Sequence, residues 1–352
     1  MNIKRIHIDP SWSFSDEAGN RVDPQLFRLL SALHQHGKLT TAAKAIDISY
    51  RHAWNLLKKW SGFFGAEVVV LSKGRGAQLT AFGEKLLWAE QRVMARLKPQ
   101  MDNLASEINL ELHRAMADVT PLLKVHASHG YAVALLPEFA EQFQLDLQYH
   151  SPLEALAALN RGACDLAGIH VPRDVDIPAL TEAYRREISS HIAIRFVSRE
   201  QGLIVCKGNP KAIHSLEDLQ QPSVKFINRQ SESGTRSIFD QLLKNHGIES
   251  NAIVGYNDQE FTHGAIAAYV AAGMADVGFG VKAAAKQFDL DFIPMAVEDY
   301  IFLCQKQKLN DASVQQFLSA IGSDEFHKAI AALPGYSSDG SGELCPAIDL
   351  VF

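Results

Sequence analysis

Apolar residues recur at helical spacing from residue 26 onward, with Leu26, Leu29, Leu30 and Leu33 on one face. Asp23-Pro24 in front of them reads as an N-cap followed by proline at the first helical position, and Gly37 as the stop. A short second helix, TAAKAI, follows with Thr40 or Thr41 as its cap and ends near Asp47. Ser49 caps a third, YRHAWNLLKKWSGFF, whose Ala53, Leu56, Leu57 and Trp60 form an apolar stripe. After Gly65 the β-branched run VVVL predicts a strand, and SKGRGAQLT a tight turn with two glycines. From about Ala81 to Met116 the pattern is one long helix. Its Leu86, Val93, Leu97, Leu104 and Ile108 keep a near-heptad spacing that wants a partner helix. Pro99 inside it predicts a kink or a split.

Beyond residue 119 strands and helices alternate. LLKVHAS, LDLQYHS, DLAGIHV, VKFIN, NAIVGY and DVGFG read as strands. YAVALLPEFAEQF, PLEALAALNRG and stretches from about Thr235 to Asn245 and Thr262 to Ala272 read as helices. That alternation predicts an α/β body. The fold class expected for the whole chain is therefore α+β multidomain: a helical head, a long linker helix, and a two-lobed α/β domain.

Composition agrees with a soluble globular protein of two or three domains: 352 residues, 47% hydrophobic and 21% charged. No run of 18 apolar residues occurs, and the segment MNIKRIHIDPSWSF lacks the pattern of a secretory signal. Cys164, Cys206, Cys304 and Cys345 lie far apart and read as buried thiols of a reduced compartment, so the expected location is cytoplasmic. Charge changes the picture. Residues 1–117 carry 16 Lys+Arg against 11 Asp+Glu, a balance of +5, while residues 118–352 carry 18 against 29, a balance of −11. A basic head on an acidic body points one end at a polyanion.

Helix, short helix, turn, basic helix and glycine-containing hairpin make a winged helix-turn-helix over residues 1–80, with a linker helix over residues 81–117. In such a head the third helix enters the major groove while its apolar stripe packs inward. Candidate DNA contacts are Thr40, Thr41, Ser49, Tyr50, Arg51, His52, Asn55, Lys58 and Lys59, with Lys73 and Arg75 on the wing. Arg and Asn can read guanine and adenine bidentately; lysines suit phosphates. The stretch LTTAAKAIDISYRHAWNLLKKW followed by LSKGRGAQLTAFGEKLL resembles the N-terminal domain of the molybdate-responsive regulators of the ModE family, themselves related to LysR-type regulators, over residues 21–115. The resemblance implies a homodimer built on the linker helix, or a tetramer, with two heads presented to a palindromic site in double-stranded DNA.

Regulators of that family carry small ligand-binding barrels after the head, and this chain departs from that. Its motifs ASHG (127–130), CDLAGIH (164–170), NRQSESGTR (228–236) and AAGMADVGFG (271–280) make residues 118–352 resemble the type II periplasmic-binding-protein fold, in particular molybdate-binding-protein-like domains. The lobes would comprise about 119–198 plus 303–352, and 205–298, with SSHIAIRFVS and DYIFLCQK as the crossings. Ser128, Ser151 and Ser233-Gly234-Thr235 stand where strands turn into helices, and such N-termini hold anions through free N–H groups. Arg229 and Arg236 flank the last of these and would add charge, although Arg229 also reads as a surface residue paired with Glu232. His129, His170 and His263 are secondary ligand candidates. His126 and His129 have no third partner at metal-ligand spacing, so no metal is expected. The G-x-G-x-x-A at Gly278–Ala283 lacks the context of a dinucleotide fingerprint, and no catalytic motif is present, so neither a cofactor nor an enzyme is expected. The expectation is a DNA-binding transcriptional regulator whose C-terminal domain senses a small anion such as molybdate or tungstate and controls molybdenum-related genes. The alternative is an intracellular oxyanion carrier that uses the head only to dimerise.

Overall fold

The computed structural model describes residues 8, 14–72, 76–115, 120–173, 175–178, 182, 184–185, 188 and 190–351. Two compact units are present, Asp9–Ala95 and Arg96–Phe352, the latter together with Met1–Ile8. The division falls inside the long helix rather than at either end of the expected linker. Among the described residues no helix is long and apolar enough to cross a membrane.

The first unit contains α1 (Gln25–His36), α2 (Leu39–Ala45), α3 (Tyr50–Phe64), the hairpin β1 (Val69–Ser72) and β2 (Gly76–Leu79), and the start of α4 (Ala81–Ala115). Its core is the apolar pattern read from the sequence: Leu26, Leu29, Leu30 and Leu33 of α1 bury against Ala53, Leu56, Leu57 and Trp60 of α3. Gly37 ends α1 in the left-handed conformation, and Ser49 Oγ caps α3 by accepting from the His52 amide at 3.1 Å. Asp23 accepts from the Gln25 amide, so the helix starts one residue later than expected. Neither Thr40 nor Thr41 caps α2. That helix begins at Leu39 behind Lys38 and has no side-chain cap, because burial of Leu39 draws its backbone into the first turn. The start of α4 explains the T-x-x-G spacing. Thr80 Oγ accepts from the Gly83 amide at 3.0 Å, and a Cβ on Gly83 would lie 2.1 Å from the Val68 carbonyl oxygen. Only glycine lets the helix approach β1 so closely.

α4 runs through Pro99 as one helix, so of the two expected outcomes, a kink or a split, the split does not occur. Proline removes the N–H that would donate to residue 95, and the two compact units divide at that residue. The helix continues because its second half is held from outside. Asn103 Oδ1 accepts from the Tyr149 amide at 2.7 Å, and Ser106 Oγ accepts from the Leu147 amide at 3.0 Å while donating to Asp146 at 3.1 Å.

Those partners lie on β4 (Gln144–Tyr149), the outer strand of a ten-stranded sheet. The second unit strings its strands β3 (Leu122–Ala127), β5 (Leu166–Pro172), β6 (His191–Val205), β7 (Phe226–Arg229), β8 (Gln259–Glu260), β9 (Val277–Val281) and β10 (Asp291–Gln305) in the order β4-β3-β5-β10-β6-β9-β7-β8. The short β11 (Tyr336–Ser337) and β12 (Leu344–Pro346) pair with β6, so the polar segment around SSDGSGE belongs to the fold. The two crossings are single 15-residue strands, β6 and β10, paired antiparallel with register shifts at Pro294/Ala296 and Tyr300/Ile301. The helices that position the site are α5 (Tyr131–Leu135), α6 (Pro152–Asn160), α7 (Gly234–Asn245) and α8 (His263–Ala271). Two expectations fail here. YAVALLPEFAEQF is helical only to Leu135, then tightens into a 3-10 turn at Pro137 that ends at Phe139. NAIVGY is not a strand. It turns at Gly255, whose φ is 87°, with Val254 accepting from the Phe226 amide, and the strand is delayed to β8.

Because Asn103 of α4 accepts from the Tyr149 amide on the outer strand, Asn103→Ala removes that acceptor. The expected cost is about 1–3 kcal/mol in urea unfolding of the whole chain. A change below about 0.5 kcal/mol, the range of an ordinary surface substitution, would show that the contact does not hold the helix.

Candidate functional site

The candidate residues form two surfaces, one on each unit. On the first, the solvent side of α3 carries the polar and aromatic residues that the stripe leaves over. Thr40, Thr41, Ser49, Tyr50, Arg51, His52, Trp54, Asn55, Lys58 and Lys59 are all exposed. Tyr50 and Trp54 are 52% and 44% exposed, large apolar surfaces beside cations on one helix. His52 Nε2 lies 2.8 Å from Gln25 Oε1, and Lys59 lies over the Trp60 ring at 4.3 Å. Arg51, Asn55 and Lys58 have no ion pair among the described residues and project freely. The wing candidates Lys73 and Arg75 lie outside the described residues.

On the second unit a cleft of about 530 Å³ opens at the crossing of β6 and β10. Ser128 and His129 enter it from the turn after β3, and Tyr149, His150 and Ser151 from the turn after β4. Arg229, Ser233, Gly234 and Thr235 enter from β7 and the start of α7, His170 from β5, and Phe261 and His263 from the segment leading into α8. Its floor is ionic. Arg199 of β6 and Glu298 of β10 are register partners, both buried, with Arg199 Nε donating to Glu298 Oε1 at 2.5 Å. Arg199 Nη2 lies 3.1 Å from His170 Nδ1, and Gln201 Nε2 donates both to Glu298 and to Thr235 Oγ1. Tyr300, beside this pair, accepts from the Ser128 amide at 2.9 Å and so holds the first turn in place. A Cβ on Gly234 would lie 2.8 Å from the His170 ring, so glycine at the start of α7 admits that histidine.

Arg229 differs from Arg199. It is 7% exposed, and its Nε and Nη2 donate to Gln230 Oε1 at 3.2 Å and to the Phe261 carbonyl at 3.0 Å. Nη1 has no hydrogen-bond partner and no carboxylate pairs with the group among the described residues. Ser128 Oγ and His263 Nδ1 are likewise buried without a partner. Burial, with the neighbouring Arg199 charge adding to it, pushes the Arg229 pKa down to about 9, so it remains a cation at neutral pH. Burial also lowers the histidines: His129 falls to about 4, His170 is lowered despite Glu298, and His263 is lowered well below the usual range. They therefore stand as neutral rings offering N–H donors. A buried cation lacking a counterion, ringed by unpartnered donors, is a site for an anion.

The structure brings nine of the ten expected ligand residues to this cleft: Ser128, His129, Ser151, His170, Arg229, Ser233, Gly234, Thr235 and His263. Ser151 lines it with its hydroxyl already committed, since it accepts from the Glu154 amide and donates to the Glu154 carboxylate in a capping box. Arg236 does not line it. Asp240, one helical turn on, holds the Arg236 guanidinium at 2.8 Å, Nη1 donates to the Arg229 carbonyl, and the group lies over Tyr256. Arg236 therefore braces the strand end that carries Arg229. Arg229 is no surface partner of Glu232, whose carboxylate accepts from Ser231 instead. The His126 ring lies tilted against His150 with centroids 4.5 Å apart, and no cluster of three metal-ligating side chains occurs among the described residues. Sequence reasoning missed Arg199, Glu298, Tyr300 and Phe261. The signal for the first two was an adjacent pair of charges, Arg199-Glu200 and Glu298-Asp299, inside each largely apolar crossing segment.

Glu298 contributes a testable dependence on pH. Burial opposes its ionisation, but the Arg199 guanidinium and the hydrogen bond from Gln201 outweigh that and hold the carboxyl at about 2, against 4.5 in an unstructured chain. A depressed carboxyl contributes stability that is complete above the unfolded value and is lost as pH falls from there through the folded value. Unfolding free energy should therefore decline between about pH 4.5 and 2, and Glu298→Gln should remove that part of the decline. At neutral pH the same variant should lose about 3–5 kcal/mol, because Arg199 is left buried and uncompensated. Equal stability of variant and parent at pH 7 in denaturant titrations would count against the pair as the anchor of the crossing.

Residues 135–322, more than half of the chain, match the PBP superfamily domain. Over 200 residues the chain is 30% identical to YvgK, an uncharacterized protein of Bacillus subtilis, covering 56% of this chain and 64% of that one. Shorter stretches match the molybdenum-pterin-binding protein MopB of Rhodobacter capsulatus, at 28% identity over 100 residues (27% of this chain, 37% of MopB), and the molybdenum transport protein ModE of Azotobacter vinelandii, at 25% over 101 residues (28% of this chain, 37% of ModE). The chain thus spans less than two thirds of the length of each of these relatives. A solved structure of Corynebacterium glutamicum OxyR aligns over 89% of this chain and 95% of its own, at 15% identity and a TM-score of 0.45. The chain is ModE-like in sequence, as its motifs predict, and through the two-lobed unit that holds the cleft it belongs to the PBP superfamily.

Proposed function

We propose that this chain is a one-component transcriptional regulator. Its head reads double-stranded DNA through α3, and its cleft senses a small anion. The observation that carries the sensing half is Arg229, a buried guanidinium whose Nη1 has no partner, in a cleft that the unpartnered Ser128 hydroxyl also lines. The exposed cationic and aromatic face of α3 supports the DNA half. A homodimer presenting two heads to a palindromic operator would be built on α4. There Leu104, Ile108 and Leu112 recur at one-turn intervals and are 46%, 42% and 37% exposed in the single chain. Molybdate and tungstate are the effectors to test first, because MopB and ModE carry molybdenum in their names. Control of molybdenum-related genes would follow. Anion and operator would then be coupled, each changing the affinity for the other by the same factor.

The sensing half is tested by thermal unfolding with molybdate, tungstate, sulfate, phosphate, nitrate and small carboxylates. A ligand confined to the native state adds roughly 2.7 kcal/mol at a hundredfold excess over Kd. The expected result is a clear rise in Tm with at least one anion, abolished in Arg229→Ala and reduced in Ser128→Ala. A rise that both variants retain would place the anion elsewhere, most simply on the cationic face of the head.

The DNA half is tested by anisotropy on the chain's own promoter. Arg51→Ala should cost about 1–3 kcal/mol and relax base preference, whereas Lys58→Ala should weaken all sequences alike and flatten the salt dependence. Parent-like binding and salt slope in both variants would remove α3 from the interface.

A further inference from the structure

The cleft has a third wall. Besides the turns of the two lobes, Arg96, Pro99 and Gln100 of α4 line it. The same helix is fastened to one lobe through Asn103 and Ser106, whose partners on β4 run directly into the cleft residue Tyr149. It touches the other lobe through Arg96, whose guanidinium lies 4.8 Å from the centre of the Phe261 ring. Phe261 is in turn the residue whose carbonyl accepts from Arg229 Nη2. The anion-seeking cation of the floor and the cation of α4 are therefore joined through one residue.

Charge says what Arg96 is for. Among the groups that line the cleft or bond to its floor, Arg199 is neutralised by Glu298, and His129, His170 and His263 stand neutral. Glu154 and Glu232 lie at the rim, exposed, and accept from Ser151 and Ser231. Glu260 neighbours Arg229 in the sheet register but does not line the cleft. Arg229 thus supplies a positive charge that no carboxylate pairs with directly among the described residues. A divalent oxyanion needs two, since a second negative charge moved out of water unpaired is costly. Arg96 is the remaining guanidinium in the lining. It is exposed and forms no ion pair among the described residues, and a cation–ring contact at an exposed site is worth only about 0.5–1 kcal/mol. Exchanging the ring for a charge-assisted bond to an anion is favourable.

We propose that Arg96 is the second anion-binding cation of the cleft, leaving the Phe261 ring to meet a divalent oxyanion held by Arg229. Ligand occupancy is thereby read on α4 itself, the helix that continues into the head. This rests on the anion-sensing reading of the cleft and names the helix residue that completes it.

The test uses the full-length protein with molybdate, tungstate and sulfate as probes, measured by calorimetry, together with amide exchange along α4. Arg96→Ala should fold as the parent does and bind the preferred probe about tenfold or more weakly, the scale of one lost charge contact. Arg96→Lys should recover most of that affinity, because it keeps the charge. The probe should slow amide exchange in α4 of the parent and of Arg96→Lys, but not of Arg96→Ala. Parent-like affinity in Arg96→Ala, with binding lost in Arg229→Ala, would overturn the role of Arg96 and leave the cleft reading intact. Equal loss in Arg96→Ala and Arg96→Lys would also overturn it, since packing rather than charge would then be at stake. If none of the probes binds the parent, or Arg229→Ala binds like the parent, the cleft reading fails and this inference falls with it.

Discussion

One buried ion pair organises the second unit. Arg199 and Glu298 face each other across the two strands that run through both lobes, at the point where the cleft opens. Two charges out of water are expensive, and their mutual attraction compensates only when geometry and extra hydrogen bonds are in place. Gln201 and His170 provide those bonds, and each of them also reaches toward the cleft: Gln201 to Thr235 at the start of α7, His170 against Gly234. The pair therefore positions the donors of both lobes while cancelling its own charge.

That cancellation leaves Arg229 to define the chemistry of the cleft. Its charge is held among groups that either donate or are neutral, and Arg236 and Asp240 secure its backbone from behind. The neutrality of the histidines follows from burial, which lowers all three together. The site therefore keeps the same donors across neutral pH, and its selectivity rests on fixed guanidinium charge rather than on titration.

What could be read from the sequence follows from what each signal depends on. The head was legible almost residue by residue, because its stripes at Leu26–Leu33 and Ala53–Trp60 are local and periodic. The strand-to-helix turns of the body were legible because Ser, Gly and Thr at such junctions have a local conformational reason to be there. Arg199 and Glu298 lie 99 positions apart, and neither has meaning until β6 and β10 pair. Arg236 misled because two arginines seven residues apart look alike in sequence. Only the facing Asp240, one turn along α7, decides that it points away from the cleft. Pro99 misled for the opposite reason: its local penalty is real, and the outside support from Asn103 and Ser106 is tertiary.

The register shift between Tyr300 and Ile301 has a consequence for how this chain tolerates change in length. At that shift Tyr300 lies opposite Val197 and Ile301 opposite Arg195, so Phe196 is the extra residue of β6. Side chains on a strand alternate between faces, and a slip of one residue exchanges the faces. The side on which Arg199 and Gln201 emerge is therefore counted from Phe196. Adding or removing a single residue between positions 197 and 199 would turn the guanidinium away from Glu298 and the cleft, whereas the same change in a surface turn would leave every donor where it is. The phase of one strand, set by one surplus phenylalanine, makes these few positions intolerant of insertion and deletion.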